Sequence, residues 1–153
     1  MKYVSIDLET TGLDENDCQI LEFGAVLEDT NNILPLDELP KYHAYIKHPK
    51  GNISGNIFAL HLNAGIIEKL RNEKELKDTH NYIKNEDLAD DFLAWLKMQG
   101  MEIKSSTYNN QTNYHCTITV AGKNFSSFDK KFLDKLPGFR NKIRMRQRAI
   151  DPS

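Results

Sequence analysis

The sequence predicts an α/β domain built on a mixed sheet with helices on both faces. Three observations carry this expectation. The chain opens on a strand whose apolar residues Val4, Ile6 and Leu8 alternate with Tyr3, Ser5, Asp7 and Glu9. Two more strand patterns follow over short or turn-rich links, the order of a three-strand antiparallel meander. The second half then runs helix, strand, helix, strand, which suits a parallel βαβ unit.

The opening strand, Tyr3–Gly12, ends in Thr10-Thr11-Gly12, which turns the chain and exposes hydroxyls and N–H groups. After the polar link Leu13–Gln19, Ile20–Glu28 is a second strand, with Leu21, Phe23, Ala25 and Leu27 on one face. Asp29–Pro40 contains Asn31-Asn32, Pro35 and Pro40 and predicts a loop. Tyr42–Lys47 is the third strand, stopped by Pro49 and Gly51.

Phe58–Leu70 predicts a helix, with Asn63 as a cap and Ile66, Ile67 and Leu70 at helical spacing. Arg71–Asn85 is highly charged and weakly patterned, a solvated surface stretch. Asn85–Gln99 has the clearest helical stripe, Leu88, Phe92, Trp95 and Leu96, with Asn85 as its cap and Gly100 as its stop. Ile103–Cys116 fits either a hairpin or a loose loop. Thr117–Ala121 is a β-branched strand ending at Gly122, and Ser126 opens a helix that Pro137-Gly138 closes. Lys142–Asp151 alternates Arg144, Arg146 and Arg148 against Ile143, Met145 and Ala149, a last strand whose arginine face, with no interleaved aromatics, reads as solvated or salt-bridged rather than as a phosphate track. Pro152-Ser153 has the form of another helix start.

A length of 153 residues predicts one domain over 1–153. With 20 basic and 22 acidic residues, the net charge of −2 marks no strongly basic nucleic-acid binder, yet leaves room for a local basic groove. Cys18 and Cys116 form no C-x-x-C pattern and predict free thiols in a reducing compartment. The strand-like start is no signal peptide, and no apolar run is long enough to span a membrane. A soluble, cytoplasmic protein is expected.

The chemistry begins with Asp7 and Glu9. Strand geometry puts both on one face, their Cα atoms about 6.5–7 Å apart. Carboxylates that close repel unless a positive charge lies between them. A pair of divalent cations about 3.5–4 Å apart fits that opening. Asp129 follows the β-branched strand, in the first turn of the next helix. If that strand lies beside the first, Asp129 joins Asp7 and Glu9. Three hard oxygen ligands suit Mg²⁺ or Mn²⁺, and a two-metal site supports phosphodiester hydrolysis.

Asp7-Leu8-Glu9-Thr10-Thr11-Gly12 and Asn124-Phe125-Ser126-Ser127-Phe128-Asp129 resemble the first two motifs of the DEDD (DnaQ-like) 3′–5′ exonucleases. That family includes proofreading exonucleases of bacterial replicases and oligoribonucleases. The resemblance implies a ribonuclease H-like fold, two divalent cations, and release of nucleoside monophosphates from 3′ ends of single-stranded DNA or short RNA. It also implies a setting among replication and repair proteins. By the same resemblance Asp7, Glu9 and Asp129 are the catalytic metal ligands. Leu8, Thr10 and Thr11 line the 3′-terminal nucleotide, Asn124 and Phe128 line the cleft, and Leu62 and Asn63 lie near the terminal base.

The family also has a third motif, a His or Tyr followed four or five residues later by an Asp on a C-terminal helix. These are the general base and the fourth ligand. Here that motif would follow Asp151-Pro152-Ser153, and none of His43, His48, His61, His80 and His115 stands in such a setting near the end. Asp151 matches a strand-end position before that helix and is not assigned as a ligand. The expectation is therefore a domain without its C-terminal helix, either part of a longer exonuclease or a natural short form. The alternative function is a non-catalytic module that binds a nucleic-acid end or a protein on the same fold.

Overall fold

The computed structural model describes residues 1–79, 81–147 and 149–151. The readings placed on His80, Arg148 and Pro152-Ser153 lie outside the described residues. The meander forms as the alternation requires: β1 (Lys2–Thr10), β2 (Ile20–Asp29) and β3 (Lys41–Lys47) pair antiparallel. Val4, Ile6 and Leu8 face the core with Phe23, Ala25 and Leu27. Leu21 departs from its expected place. The register shifts between Glu9 and Thr10, so Glu9 pairs with Glu22 and Thr10 with Ile20. Ile20 then joins the main core, and Leu21 is buried outside it.

The predicted helix 58–70 is two helices, α1 (Ile57–Leu62) and α2 (Ala64–Arg71), interrupted at Asn63. The side chain of Asn56, rather than that of Asn63, caps a helix here, accepting from the Phe58 amide at 2.9 Å. The Asn63 side chain is instead used in a long-range bond to β1. The charged stretch 71–85 is also structured. It forms α3 (Glu73–Thr79), anchored by buried Leu76 and a Lys47–Glu73 ion pair, and β4 (Tyr82–Lys84), parallel to β3.

The following helix, α4 (Leu88–Met98), starts later than its pattern suggested, with Asp87 at its cap position. Asn85 does not cap because its amide donates to the Lys47 carbonyl at 3.1 Å, extending the β3–β4 pairing. Gly100 stops α4 as expected. It has φ +77°, and the Gly100 and Met101 amides close back on Lys97 and Leu96, each at 3.0 Å.

The ambiguous stretch 103–116 is a hairpin of β5 (Lys104–Tyr108) and β6 (Gln111–Ile118). Asn109 and Asn110 both have positive φ, 46° and 60°, as a two-residue hairpin turn demands. The strand expected at 117–121 is shared between β6 and β7 (Val120–Ala121), broken only at Thr119. Past β7, the helix begins three residues later than Ser126, as α5 (Asp129–Lys135), because the Asn124 carbonyl takes the Ser127 and Phe128 amides in a turn. A short α6 (Phe139–Lys142) follows Gly138. The last strand is brief: β8 (Ile143–Met145) runs parallel to β6, and Ile150 bridges to Ala121.

The result is a mixed sheet in the order β4-β3-β2-β1-β7, with β5-β6-β8 joined to it through the β6–β7 strand. On the core face, Phe92 of α4 packs edge-on to Phe23 (4.9 Å) and stacks on Trp95 (5.5 Å) and Phe139 (6.3 Å). The opposite face is covered in part by α2, whose Lys69 reaches the Tyr45 hydroxyl at 3.2 Å. Helices therefore pack on both faces. Tyr42 ties the core to α4: its hydroxyl donates to Asp91 at 2.6 Å, and burial, aided by that carboxylate, raises its pKa. Tyr42→Phe is expected to lower stability by ~1.5 kcal/mol, the net worth of a hydrogen bond to a charged group, read as a lower urea midpoint with an unchanged slope.

Candidate active site

Strand alternation decides which β1 side chains are free for chemistry. With Val4, Ile6 and Leu8 in the core, Asp7 and Glu9 point to the other face, Asp7 exposed and Glu9 half-buried. The residue opposite Asp7 on β2 is Gly24, so no neighbouring side chain covers that carboxylate from β2. The parallel pairing Val4 to Val120 and Ser5 to Ala121 lays β7 beside β1. Gly122 then turns the chain tightly: an added Cβ would lie 3.2 Å from the Ile6 carbonyl oxygen. Asp129 emerges from this turn as the first residue of α5, only 6% exposed.

The charge of Asp7 bears on both Glu9 and Asp129, and that of Glu9 on Asp129. The Asp129 pKa is pushed up to about 6, first by burial and then by the charges of Asp7 and Glu9, while backbone hydrogen bonds at Asp129 and Leu8 oppose the rise. Glu9 is raised by burial, by Asp7 and by Glu22. Like charges gathered in partial burial are what a hard divalent cation relieves. The donor chemistry thus fits Mg²⁺ or Mn²⁺. Among the described residues, however, no three or more Asp, Glu, His or Cys side chains form a finished metal cage as they stand.

Beside the acids lies a cleft of about 650 Å³. Its walls include Leu8, Glu9, Thr10, Leu62, Asn63 and Phe128, all singled out from the sequence. Asn63 braces the wall, donating from Nδ2 to the Thr10 carbonyl at 3.0 Å. Thr11 and Asn124 are not among the lining residues. Thr11 is fully buried; its hydroxyl donates to the Ser54 carbonyl (2.6 Å) and accepts from the Gln19 amide (2.8 Å). Asn124 is exposed, with φ 56°, and its amide lies 3.4 Å from a carboxylate oxygen of Asp151.

Sequence reasoning missed Leu13 and Phe58, which line the cleft while remaining 84% and 70% exposed. The available signal was an apolar residue inside the polar link for Leu13. For Phe58 it was a position outside the apolar stripe of its helix. Three of the histidines do not line the cleft. His43 pairs with Glu22, His48 is buried against the Ile20 carbonyl at 2.6 Å, and His115 lies on β6.

Comparison with known proteins places this arrangement. The family model described as Exonuclease (RNase_T) matches residues 4–143. No curated protein matches the sequence. Among solved structures, Escherichia coli Exonuclease I in complex with a dT13 oligonucleotide is similar at TM-score 0.54 and 14% identity, over 92% of this chain and 24% of that one. The zinc-bound E. coli ExoI–ssDNA complex gives 0.54 and 16%, over 92% and 24%. Exonuclease I of Methylocaldum szegediense gives 0.52 and 17%, over 86% and 22%. The chain thus spans about a quarter of the length of these exonucleases, and at such identities the likeness establishes the fold, a ribonuclease H-like mixed sheet. With the family model spanning almost all of the described chain, the protein belongs to the RNase_T exonucleases of the DEDD (DnaQ-like) family.

Proposed function

We propose that this domain is a metal-dependent 3′–5′ exonuclease acting on single-stranded DNA or short RNA and releasing nucleoside monophosphates. The observation that carries the reading is the placement of Asp7 and Glu9 on one face of β1, with Asp129 brought in by the neighbouring β7 at the edge of the 650 Å³ cleft. Asp7 and Glu9 would hold Mg²⁺ or Mn²⁺ between them, with Asp129 completing one shell. Bound there, the ions would supply an activated water and steady the leaving oxygen. Leu62 and Phe128 give the terminal nucleotide an apolar seat, Leu8 backs it from the core, and Thr10 and Asn63 fix the wall around it. The fourth ligand and the base belong to the third motif that the resemblance implies. Single-stranded substrate is supported by the Exonuclease I neighbours solved with single-stranded DNA. A cytoplasmic setting among replication or repair proteins accords with the free thiols Cys18 and Cys116. Among the described residues, no helix is long and apolar enough to cross a membrane.

The test is release of single nucleotides from an oligonucleotide labelled at its 3′ end, in Mn²⁺. Metal-dependent release that is lost in Asp7→Ala supports the reading; cleavage of a circular single strand contradicts it. A second reading is a non-catalytic module that binds a nucleic-acid end or a protein on the same fold. It requires binding without turnover.

A further inference from the structure

Strand register places a second, basic surface on the same side of the sheet as the acids. Val4 and Val120 are register partners within the core, so Thr117 and Thr119 alternate to the face that carries Asp7 and Glu9. Thr117 pairs with Arg144, and His115 with Lys104. Alternation adds Arg146 beyond β8 and Tyr108 on β5, the latter 78% exposed. A notch of about 470 Å³ opens at the end of the sheet, lined from this face by Lys104, Arg146, Thr117 and Thr119 and, from the core-face side of β1 and the end of α4, by Lys2 and Glu102 among others. These side chains set three positive charges against one negative charge. Among the described residues, Lys2, Lys104, Arg144 and Arg146 form no ion pair. His115, 6% exposed, keeps a buried Nδ1 without a partner.

We infer that this face, from the Lys2–Lys104–Arg146 notch to Tyr108, binds the backbone of the single-stranded nucleic acid whose end enters the acidic cleft. The inference rests on the exonuclease reading and extends it. Among the described residues, the cleft itself is lined by Glu9, Asp14 and Asp17 and by no Lys, Arg or His. A polyanion with its end there must find its counter-charge elsewhere, since phosphate contacts dominate nucleic-acid affinity. The register sets Thr119 level with Tyr3, four residues or about 13 Å along the strand from Asp7. That places the cations a few nucleotides from the reacting end. Tyr108, exposed on the same face four residues or about 13 Å along β5 from Lys104, offers base stacking within a few nucleotides of phosphate binding, a combination suited to single strands. The arginine face, read from the sequence as solvated or salt-bridged rather than a phosphate track, shares its side of the sheet with the exposed Tyr108 of the hairpin.

The experiment measures binding of 5′-labelled oligothymidylates, a trinucleotide and a dodecanucleotide, by fluorescence anisotropy without divalent metal. The variant is the double charge reversal Lys104→Glu/Arg146→Glu, at two exposed positions. The dodecanucleotide should bind about tenfold more weakly, and its log K against log salt slope should fall by about two. Trinucleotide binding should not change. Equal losses at both lengths, an unchanged dodecanucleotide, or wild-type protein that does not bind the dodecanucleotide would overturn the inference. Tyr108→Ala, outside the notch, should weaken only the dodecanucleotide and leave the salt slope unchanged. Nucleotide release by a variant of undiminished affinity sinks the track and leaves the nuclease. Tight, track-dependent binding without release by the wild type sinks the nuclease and leaves the track.

Discussion

Asp129→Asn is expected to cut metal-dependent nucleotide release by at least about 10²-fold, more than loss of a group that merely orients a metal ligand costs. The same substitution should stabilise the metal-free protein at neutral pH. An acid that titrates near 3.8 when unfolded and at about 6 when folded keeps its proton in the fold where the unfolded chain has lost it. Stability of the metal-free protein therefore falls as pH rises from about 4 to about 6, and stays at the lower level above that. Asparagine removes the buried charge, for a gain of ~2 kcal/mol at pH 7. In a chain of this size that is a rise of ~4–8 °C in Tm, measured in EDTA. If Asp129 served only as an acid at the helix N-terminus, the substitution would lower Tm instead. The opposite signs for activity and stability separate a ligand from a helix-stabilising charge.

Gly55→Ala should damage both the fold and the cleft. An added Cβ would lie 2.2 Å from the Thr11 carbonyl oxygen, 2.4 Å from Thr11 Cβ and 2.6 Å from its Oγ1. Neither partner can yield easily. The Thr11 carbonyl accepts from the Asn56 amide at 2.8 Å, and its hydroxyl is held by Ser54 and Gln19. Relief requires moving Ser54–Asn56, the segment that caps α1 and sets the cleft wall. The expected loss is ~2 kcal/mol, typical of overpacking, with a higher KM in nucleotide release. Gly65→Ala is the matched control. A Cβ there meets nothing within 4 Å, and its helical position predicts a gain of ~0.5–1 kcal/mol. Thermal unfolding of the pair checks the argument: similar shifts for both would show that close packing at Thr11 is not what Gly55 provides.

These expectations show where local pattern suffices. The two-residue alternation of β1 assigns Asp7 and Glu9 to one face without tertiary information. The β-branched run 117–121 followed by Asp129 locates the third acid, because the parallel β1–β7 pairing leaves the chain little other path. Features set by contacts distant in sequence were not legible. β4 has three residues and owes its existence to the β3 edge, while α3 depends on Leu76 reaching the core through a charged stretch. The bulge at Glu9/Thr10 exchanges Ile20 for Leu21 in the core, which period-two counting has no means to foresee. Asn63 resembles a cap by type, yet its side chain serves a bond to Thr10 that spans more than fifty positions. Thr11, matched to the nucleotide by the family resemblance, is buried and uses its hydroxyl to hold the loop.

The central claim is that Asp7, Glu9 and Asp129 act together as a divalent-cation site. Calorimetric titration with Mn²⁺ at pH 7 tests it most directly, comparing wild type with Asp7→Ala, Glu9→Ala and Asp129→Asn. The wild type should bind Mn²⁺ saturably, and each substitution should weaken or abolish that binding. Mn²⁺ binding with the same stoichiometry and affinity in all four proteins, or none by the wild type, would contradict it.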